Sequence, residues 1–116
     1  MQKQGQWIKI AESLAELTER GNVQITEREV KGKLVCLVHE QGKLYACAGK
    51  CPHAGGRLSQ GFTDGTGNII CPVHRYKFRL SNGYNASGEG FHLKSYPILE
   101  NDEGVFIQFP DRHSFL

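Results

Sequence analysis

No apolar run in this chain approaches the roughly twenty residues that a membrane-spanning helix requires. The 116 residues carry a net charge of only +2, and they show no basic stripe with interleaved aromatic side chains, which a nucleic-acid-binding surface normally has. The first seven residues lack the apolar segment of a secretory signal. We therefore expect a cytoplasmic protein that binds neither membranes nor nucleic acid.

Catalytic motifs are equally scarce. The sequence contains no recognisable pair of nucleophile and base, no phosphate-binding loop and no paired carboxylates. With 39% hydrophobic residues, the chain is long enough for one hydrophobic core but too short for two. We predict a single domain over residues 1–116 that is not an enzyme by itself.

Two short segments contain side chains that commonly bind metals. Cys51-Pro52-His53 is followed, after 17 intervening residues, by Cys71-Pro72-Val73-His74. Each segment offers one thiolate and one imidazole. Two soft sulfur donors and two borderline nitrogen donors are typical ligands of a transition metal or an iron–sulfur cluster. The candidate metal ligands are therefore Cys51, His53, Cys71 and His74.

A structural zinc site is the alternative, because two Cys and two His at short spacings are also typical of zinc. Zinc modules usually place two Cys in one knuckle and two His on a following helix, whereas each segment here is mixed. A helix between the segments is disfavoured, since residues 54–70 include five glycines and each interior glycine costs a helix about 1 kcal/mol relative to Ala. Mixed loops are what a Rieske [2Fe–2S] centre requires, with two Cys on one iron and two His on the other.

Residues 51–61 and 71–78 resemble the two cluster-binding boxes of the Rieske ferredoxin family at the ligands, the prolines and the loop glycines. The resemblance implies that the four candidate ligands hold a [2Fe–2S] cluster, with the cysteines on one iron and the histidines on the other. It also implies an all-β fold, a Rieske-type antiparallel β-sandwich or barrel. A small, loop-rich cluster-binding subdomain is expected at approximately residues 49–83.

The ligand set also bears on the reduction potential. Two ferric ions, two sulfides and two thiolates sum to zero charge, so such a cluster accepts an electron more readily than one with four thiolates. Rieske potentials accordingly span roughly −150 to +300 mV. High-potential members of the family carry an additional Cys in each box and hydroxyl groups that donate to the cluster sulfurs. This chain lacks both additional cysteines and has Phe78 where a Tyr is expected, which predicts the low-potential, bacterial ferredoxin type.

One residue departs from the family pattern. Arg75 follows His74, at a position where Gly is usual. If the backbone there has a positive φ, Arg is strained in a way that Gly is not. If φ is negative, Arg75 only places a charge beside the cluster. The sequence does not decide between these alternatives.

The resemblance implies a soluble one-electron carrier that passes electrons between a reductase and a terminal oxygenase or similar oxidoreductase. Only 42 residues follow His74, which is too few for the mononuclear-iron domain of a Rieske oxygenase. The small Rieske-like subunit of assimilatory nitrite reductase has a similar length and is the first alternative. A redox-sensing or structural Rieske module is the second.

Five cations lie in or next to the two boxes: Lys50, Arg57, Arg75, Lys77 and Arg79. Such residues could form a basic collar that docks an acidic partner by electrostatic complementarity, although exposed charges more often interact only with solvent. The remaining histidines have no Cys at ligand spacing and are expected to be surface or packing residues; they are His39, His92 and His113.

Outside the boxes the pattern is that of short strands. The predicted elements are a strand at residues 7–10, a helical turn with a capping box at residues 13–16 and an end at Gly21, a β-meander from Val23 to Ala48, strands at residues 68–70 and 76–80, and a hairpin of residues 96–99 and 105–109. The tail from residue 110 is expected to fray.

The register of one hairpin determines what two further cysteines do. If the Gln41-Gly42 turn gives an even register, with Glu40 opposite Lys43, then Cys36 lies directly opposite Cys47. We expect both to be buried, reduced thiols, with a cross-strand disulfide as the alternative.

Overall fold

A computed structural model describes residues 7–18, 24–40, 42–52, 55–73, 75–86 and 92–109. These residues form three antiparallel sheets, one short α-helix and one turn of 3-10 helix, which confirms the all-β prediction. No helix in the described part of the chain is long and apolar enough to cross a membrane. Several positions with sequence predictions lie outside the described residues: Gly21, Val23, Gln41, His113 and the tail from residue 110.

The elements follow one another as β1 (Trp7–Ala11), α1 (Leu14–Thr18), β2 (Gln24–Val30), β3 (Lys33–Glu40), β4 (Lys43–Ala48), the 3-10 helix (Leu58–Gln60), β5 (Phe62–Thr63), β6 (Asn68–Ile70), β7 (Lys77–Arg79), β8 (Ser95–Tyr96), β9 (Ile98–Asn101) and β10 (Gly104–Gln108). One three-stranded sheet has the order β1-β10-β9, and a second, smaller one has the order β5-β6-β7. The third sheet has four strands in the order β2-β3-β4-β8 and is called the large sheet below.

The β3–β4 hairpin has the predicted register. Glu40 pairs with Lys43, and Cys36 lies directly opposite Cys47. Both cysteines are buried and both are free thiols in the structure. The preceding hairpin turns at Lys31-Gly32, where both residues have a positive φ, as a two-residue turn matched to the twist of its strands requires.

The short helix α1 begins with half of the predicted capping box. The backbone N–H of Glu16 donates to the Ser13 hydroxyl at 3.3 Å, as expected. The Glu16 carboxylate, however, accepts from the backbone N–H of Glu12 at 2.9 Å, where a capping box would use that of Ser13. The side chain therefore ties the helix to the residue that follows β1.

Four predicted strands have different bounds in the structure. The strand predicted at residues 7–10 extends one residue further, to Ala11. Residues 96–99 are divided at Pro97, which has no N–H to donate: Tyr96 pairs with Ala46 in the large sheet, and Ile98 pairs with Ile107 in β10. The strand predicted at residues 76–80 is shortened to β7, and that at residues 105–109 both begins and ends one residue earlier as β10. Neither β5 nor the 3-10 helix was predicted, because two or three residues are too few to show a period.

Strand β3 is buried on both faces and separates two hydrophobic cores, so the prediction that the chain is too short for two cores was wrong. Val35 and Leu37 point into a core shared with the β1-β10-β9 sheet, where Val105 and Ile107 are fully buried. On the opposite face, Cys36 and Val38 point into a second core, whose other buried members are Cys47, Cys51, Leu58, Ile69, Cys71, Phe78, Leu80 and Leu93. The candidate ligand segments thus pack directly on the large sheet.

Candidate metal centre

The first ligand loop (residues 51–56) follows β4. Its backbone closes on itself, since the Cys51 N–H donates to the Gly56 carbonyl and the Gly55 N–H donates to the Cys51 carbonyl, each at 2.8 Å. An isolated bridge between Lys50 and Arg57 closes its base. Gly55 has a φ of +72°, which glycine adopts without strain. The loop is therefore held by backbone bonds that do not depend on its side chains.

The second ligand loop (residues 71–76) follows β6 and repeats this closure. The Cys71 N–H donates to the Tyr76 carbonyl at 2.8 Å, again five residues further along the chain. Arg75, the fourth residue after the cysteine, has a φ of +57°. This resolves the question left open by the sequence, because Arg75 occupies the left-handed region in which a side chain is strained.

The two loops bring Cys51 and Cys71 together. Both are buried free thiols in the second core. Burial raises the pKa of the Cys71 thiol, and a hydrogen bond with the neighbouring Cys51 thiol raises it further, whereas the Val73 N–H lowers it. That N–H donates to the Cys71 sulfur at 3.4 Å. Two adjacent buried thiols and a backbone donor aimed at one sulfur fit the sulfur half of the predicted ligand set.

The close approach of the loops depends on a glycine. A Cβ atom at Gly56 would lie 2.8 Å from the Val73 Cγ2 atom and 3.2 Å from the Cys71 sulfur. Only a residue without a side chain therefore lets the first loop pack against the second without displacing it. Val73 itself is 36% exposed, so the second loop also presents an apolar side chain to solvent.

The predicted ligand set is completed by two histidines. His53 and His74 lie outside the described residues, so their role stays a prediction. Within the ranges that the structure describes, no group of three or more His, Cys, Asp or Glu side chains is arranged to hold a metal ion. His92 is exposed and contacts the Asn82 carbonyl at 2.9 Å through Nε2, in agreement with the prediction of a surface or packing residue.

Glu27 of β2 holds the end of the first loop, a contact that sequence patterns did not indicate. Arg57 donates to its carboxylate through Nε at 3.0 Å and Nη2 at 2.7 Å, and the Ser59 hydroxyl donates at 2.9 Å. The Arg57 hydrogen bond is the main cause of a lowered Glu27 pKa. Because 30 residues separate Glu27 from Arg57, no local spacing could have indicated the pair.

The predicted basic collar is only partly free. Arg57 is paired with Glu27, and Lys77 lies 3.5 Å from Asp64. The remaining three cations are exposed and have no ion pair among the described residues: Lys50, Arg75 and Arg79. The positive charge beside the ligand loops is therefore smaller than the sequence suggested, but it is not cancelled.

Comparison with known proteins agrees with this geometry. The model of the Rieske [2Fe-2S] domain family matches residues 6–97. The naphthalene 1,2-dioxygenase system ferredoxin component of Pseudomonas aeruginosa is 31% identical over 102 residues, which cover 87% of this chain and 93% of the relative. The solved ferredoxin of carbazole 1,9a-dioxygenase from Nocardioides aromaticivorans IC177 has a TM-score of 0.72 at 21% identity, with 90% of this chain and 99% of that chain covered.

A second solved structure shows the same fold within a longer chain. It is a complex of the oxygenase and ferredoxin of carbazole 1,9a-dioxygenase, and the match has a TM-score of 0.76 at 24% identity. The match covers 93% of this chain but only 29% of the solved chain.

The chain belongs to the Rieske [2Fe–2S] domain family. Its cofactor is a Rieske-type [2Fe–2S] cluster, which confirms the cofactor predicted from the sequence. Its role is electron transfer as a component of an oxidoreductase system rather than catalysis by itself.

Proposed function

We propose that the chain is a one-electron carrier between a reductase and a terminal oxygenase, with the cluster held by Cys51, His53, Cys71 and His74. The observation that supports the ligand set most directly is the pair of buried, adjacent, unbridged thiols where the two loops meet. When bound, a cluster with this ligand set accepts and returns one electron at a higher potential than an all-thiolate cluster. The relatives named as ferredoxin components of dioxygenase systems support electron transfer to a terminal oxygenase.

We also propose the organisation and location of the protein. Residues 1–116 would form one cytoplasmic Rieske domain, with a cluster-binding subdomain at approximately residues 49–83. The match of the family model to residues 6–97 supports one domain. The separate β5-β6-β7 sheet, which lies within these residues, supports the subdomain.

Spectroscopy of ligand variants tests the ligand set. The reduced wild-type protein should show the visible and EPR spectrum of a Rieske centre, and C71S and H74A should both lose it. H92A is the matched control, because His92 is exposed and bonds only a backbone carbonyl in the described part of the chain, so it should keep the spectrum. A colourless protein with one zinc per chain would refute the proposal. Copurification with a large subunit carrying flavin and sirohaem would instead indicate a nitrite reductase.

The surface around the loops supports a partner with an acidic docking site. The exposed side chain of Val73 provides an apolar contact, and Arg75 lies two residues further along the same loop. Lys50 immediately precedes the first loop, and neither cation has an ion pair within the described ranges. Complementary charge mainly accelerates association and is screened by salt. The electron should therefore be exchanged with a protein whose surface carries carboxylates at this contact.

The salt dependence of electron transfer tests the docking surface. The second-order rate of oxidation by the Rieske domain of a terminal oxygenase should fall as ionic strength rises, and R75Q and K50Q should each flatten that dependence. K43Q is the control, because Lys43 lies far from the ligand loops. Lys43 pairs with Glu40 at one end of β3, whereas Gly49, at the base of the first loop, bonds Leu34 at the other end. A rate that is independent of salt in the wild type would contradict electrostatic docking.

A further inference from the structure

One row of the large sheet runs beneath the ligand loops. The register places Glu27 opposite Cys36, Cys36 opposite Cys47, and Cys47 opposite Ser95. Directly opposed residues of antiparallel strands point to the same face, so the whole row faces the second core. Glu27 is the end of this row on strand β2, where it meets the first ligand loop.

The Glu27 carboxylate joins this row to the loop through three hydrogen bonds. Two come from the Arg57 guanidinium, at 3.0 and 2.7 Å, and the third comes from the Ser59 hydroxyl at 2.9 Å. The two-point geometry fixes the orientation of the guanidinium as well as its distance. Between Arg57 and Ser59, Leu58 is fully buried in the second core. The loop end is thus held both by an apolar side chain and by a carboxylate of the large sheet.

The segment that Glu27 holds is the one that contacts the second loop. Gly56 immediately precedes Arg57, and a Cβ atom at Gly56 would lie 3.2 Å from the Cys71 sulfur. The bonds within each loop fix its shape, but they do not fix one loop relative to the other. A displacement of Arg57 would move Gly56 against Val73 and the Cys71 sulfur, so the Glu27 contact bears on the relative position of the two halves of the ligand set.

We propose that Glu27 is a positioning residue for the iron–sulfur centre: its carboxylate holds Arg57 and Ser59 so that the first ligand loop keeps its place against Cys71. The proposal rests on the ligand set proposed above. Glu27 also neutralises the guanidinium beside the loop, so its loss leaves an uncompensated positive charge near the cofactor, and a positive charge favours the more negative, reduced state.

The test compares E27Q and E27A with wild type in the cluster-loaded protein. We expect E27A to release iron to a chelator about tenfold faster, at the lower end of what loss of a supporting contact does to metal sites. Its reduced EPR spectrum should also change in g values or line width. E27Q keeps the size of the side chain and the Ser59 contact, so it should keep most of the iron retention while its midpoint potential rises.

E12Q is the matched control, because Glu12 forms an exposed ion pair with Lys9 beside a different sheet. It should leave iron release, the EPR spectrum and the potential at wild-type values. If E27A and E27Q both behave like E12Q, the Glu27 contact is an ordinary surface ion pair and the proposal is wrong. If E27A does not fold, E27Q alone decides through its potential. A wild-type protein without a Rieske spectrum would refute the ligand set instead, which keeps the two failures distinguishable.

Discussion

Gly55 and Arg75 occupy the same backbone position in the two ligand loops: each follows its cysteine by four residues, and each has a positive φ, +72° at Gly55 and +57° at Arg75. Glycine adopts a positive φ without strain, so the first loop meets this backbone requirement at little cost, whereas Arg75 in the second loop is strained. Non-glycine residues in this region tend to be found at functional sites. Arg75 therefore links local strain to a cation exposed beside the centre.

Replacing Arg75 with Gly should stabilise the folded chain. Relief of the left-handed conformation, partly offset by the greater freedom of glycine in the unfolded chain, should add up to about 1 kcal/mol, or roughly 4 °C in Tm. Anaerobic thermal unfolding of the cluster-loaded protein, followed by circular dichroism, measures the change. Lys31 has a φ of +52° in the β2–β3 turn, so K31G is the matched control for strain. Both variants should gain stability, but only R75G should reduce the salt dependence of electron transfer.

The midpoint potential should lie in the lower part of the Rieske range, below about +100 mV. Phe78 is fully buried in the same core as the two cysteines, and its ring offers no hydroxyl to a cluster sulfur. With fewer donors, the additional negative charge of the reduced state is less stabilised. Potentiometry with EPR detection gives the value directly. A potential toward the upper end of the range would mean that other donors replace the missing hydroxyl.

Gly56 should not tolerate a methyl group. In G56A the added Cβ would approach the Val73 Cγ2 atom to 2.8 Å and the Cys71 sulfur to 3.2 Å, so we expect a loss of about 1–3 kcal/mol and faster loss of iron. Chemical unfolding and chelator-driven iron release measure the two effects. The double variant G56A/V73A removes the closer of the two contacts and should recover part of both losses. If V73A gives no recovery, the steric explanation is wrong.

The register of Cys36 opposite Cys47 could be predicted because a two-residue turn sets the pairing of every residue along both strands, and the turn was visible as Gln41-Gly42. The ligand cysteines could be predicted because residue type and spacing already restrict the chemistry. The conformation of Arg75 could not be predicted, because its positive φ is set by the closure of the loop. Residue type did not indicate it, since Arg is not a residue that favours a positive φ.

The Glu27–Arg57 contact lay beyond sequence reasoning for a different reason. It joins a strand of the large sheet to a loop 30 residues away, so it exists only once both are packed on the second core. The division of residues 96–99 at Pro97 was in principle visible, since proline cannot donate to a ladder. The alternation of apolar residues around it masked that signal.

Asp64 should make the stability of the β5–β6 turn depend on pH. Burial opposes its ionisation, but hydrogen bonds from Asn68 and Thr66 outweigh it, so its pKa lies well below the usual value. A lowered pKa means that the unfolded chain binds the proton more readily, so the stabilisation is complete above about pH 4 and is lost as the pH falls below it. D64N should therefore lower the Tm at pH 7, and the difference from wild type should shrink on acidification. An unchanging difference across this range would show that the carboxylate charge is not involved.

Cys36 and Cys47 should remain unreactive thiols in the folded protein. A hydrogen bond with Cys36, together with burial, raises the Cys47 pKa well above its usual value, so little thiolate is available to attack a reagent. Glu40 and Lys43 flank the two-residue turn and form a hydrogen-bonded pair, and such pairs alternate with non-hydrogen-bonded pairs along the hairpin. Cys36 and Cys47 lie four positions further along and therefore also form a hydrogen-bonded pair. Opposed side chains in such a pair are further apart than a disulfide prefers. Maleimide labelling with mass spectrometry should find neither thiol modified before unfolding and both modified after it.

The variant C36A/C47A should keep the spectrum of the centre, in contrast to C71S. Rapid labelling of the folded chain would show that the second core opens, and absence of labelling after unfolding without reductant would reveal a disulfide.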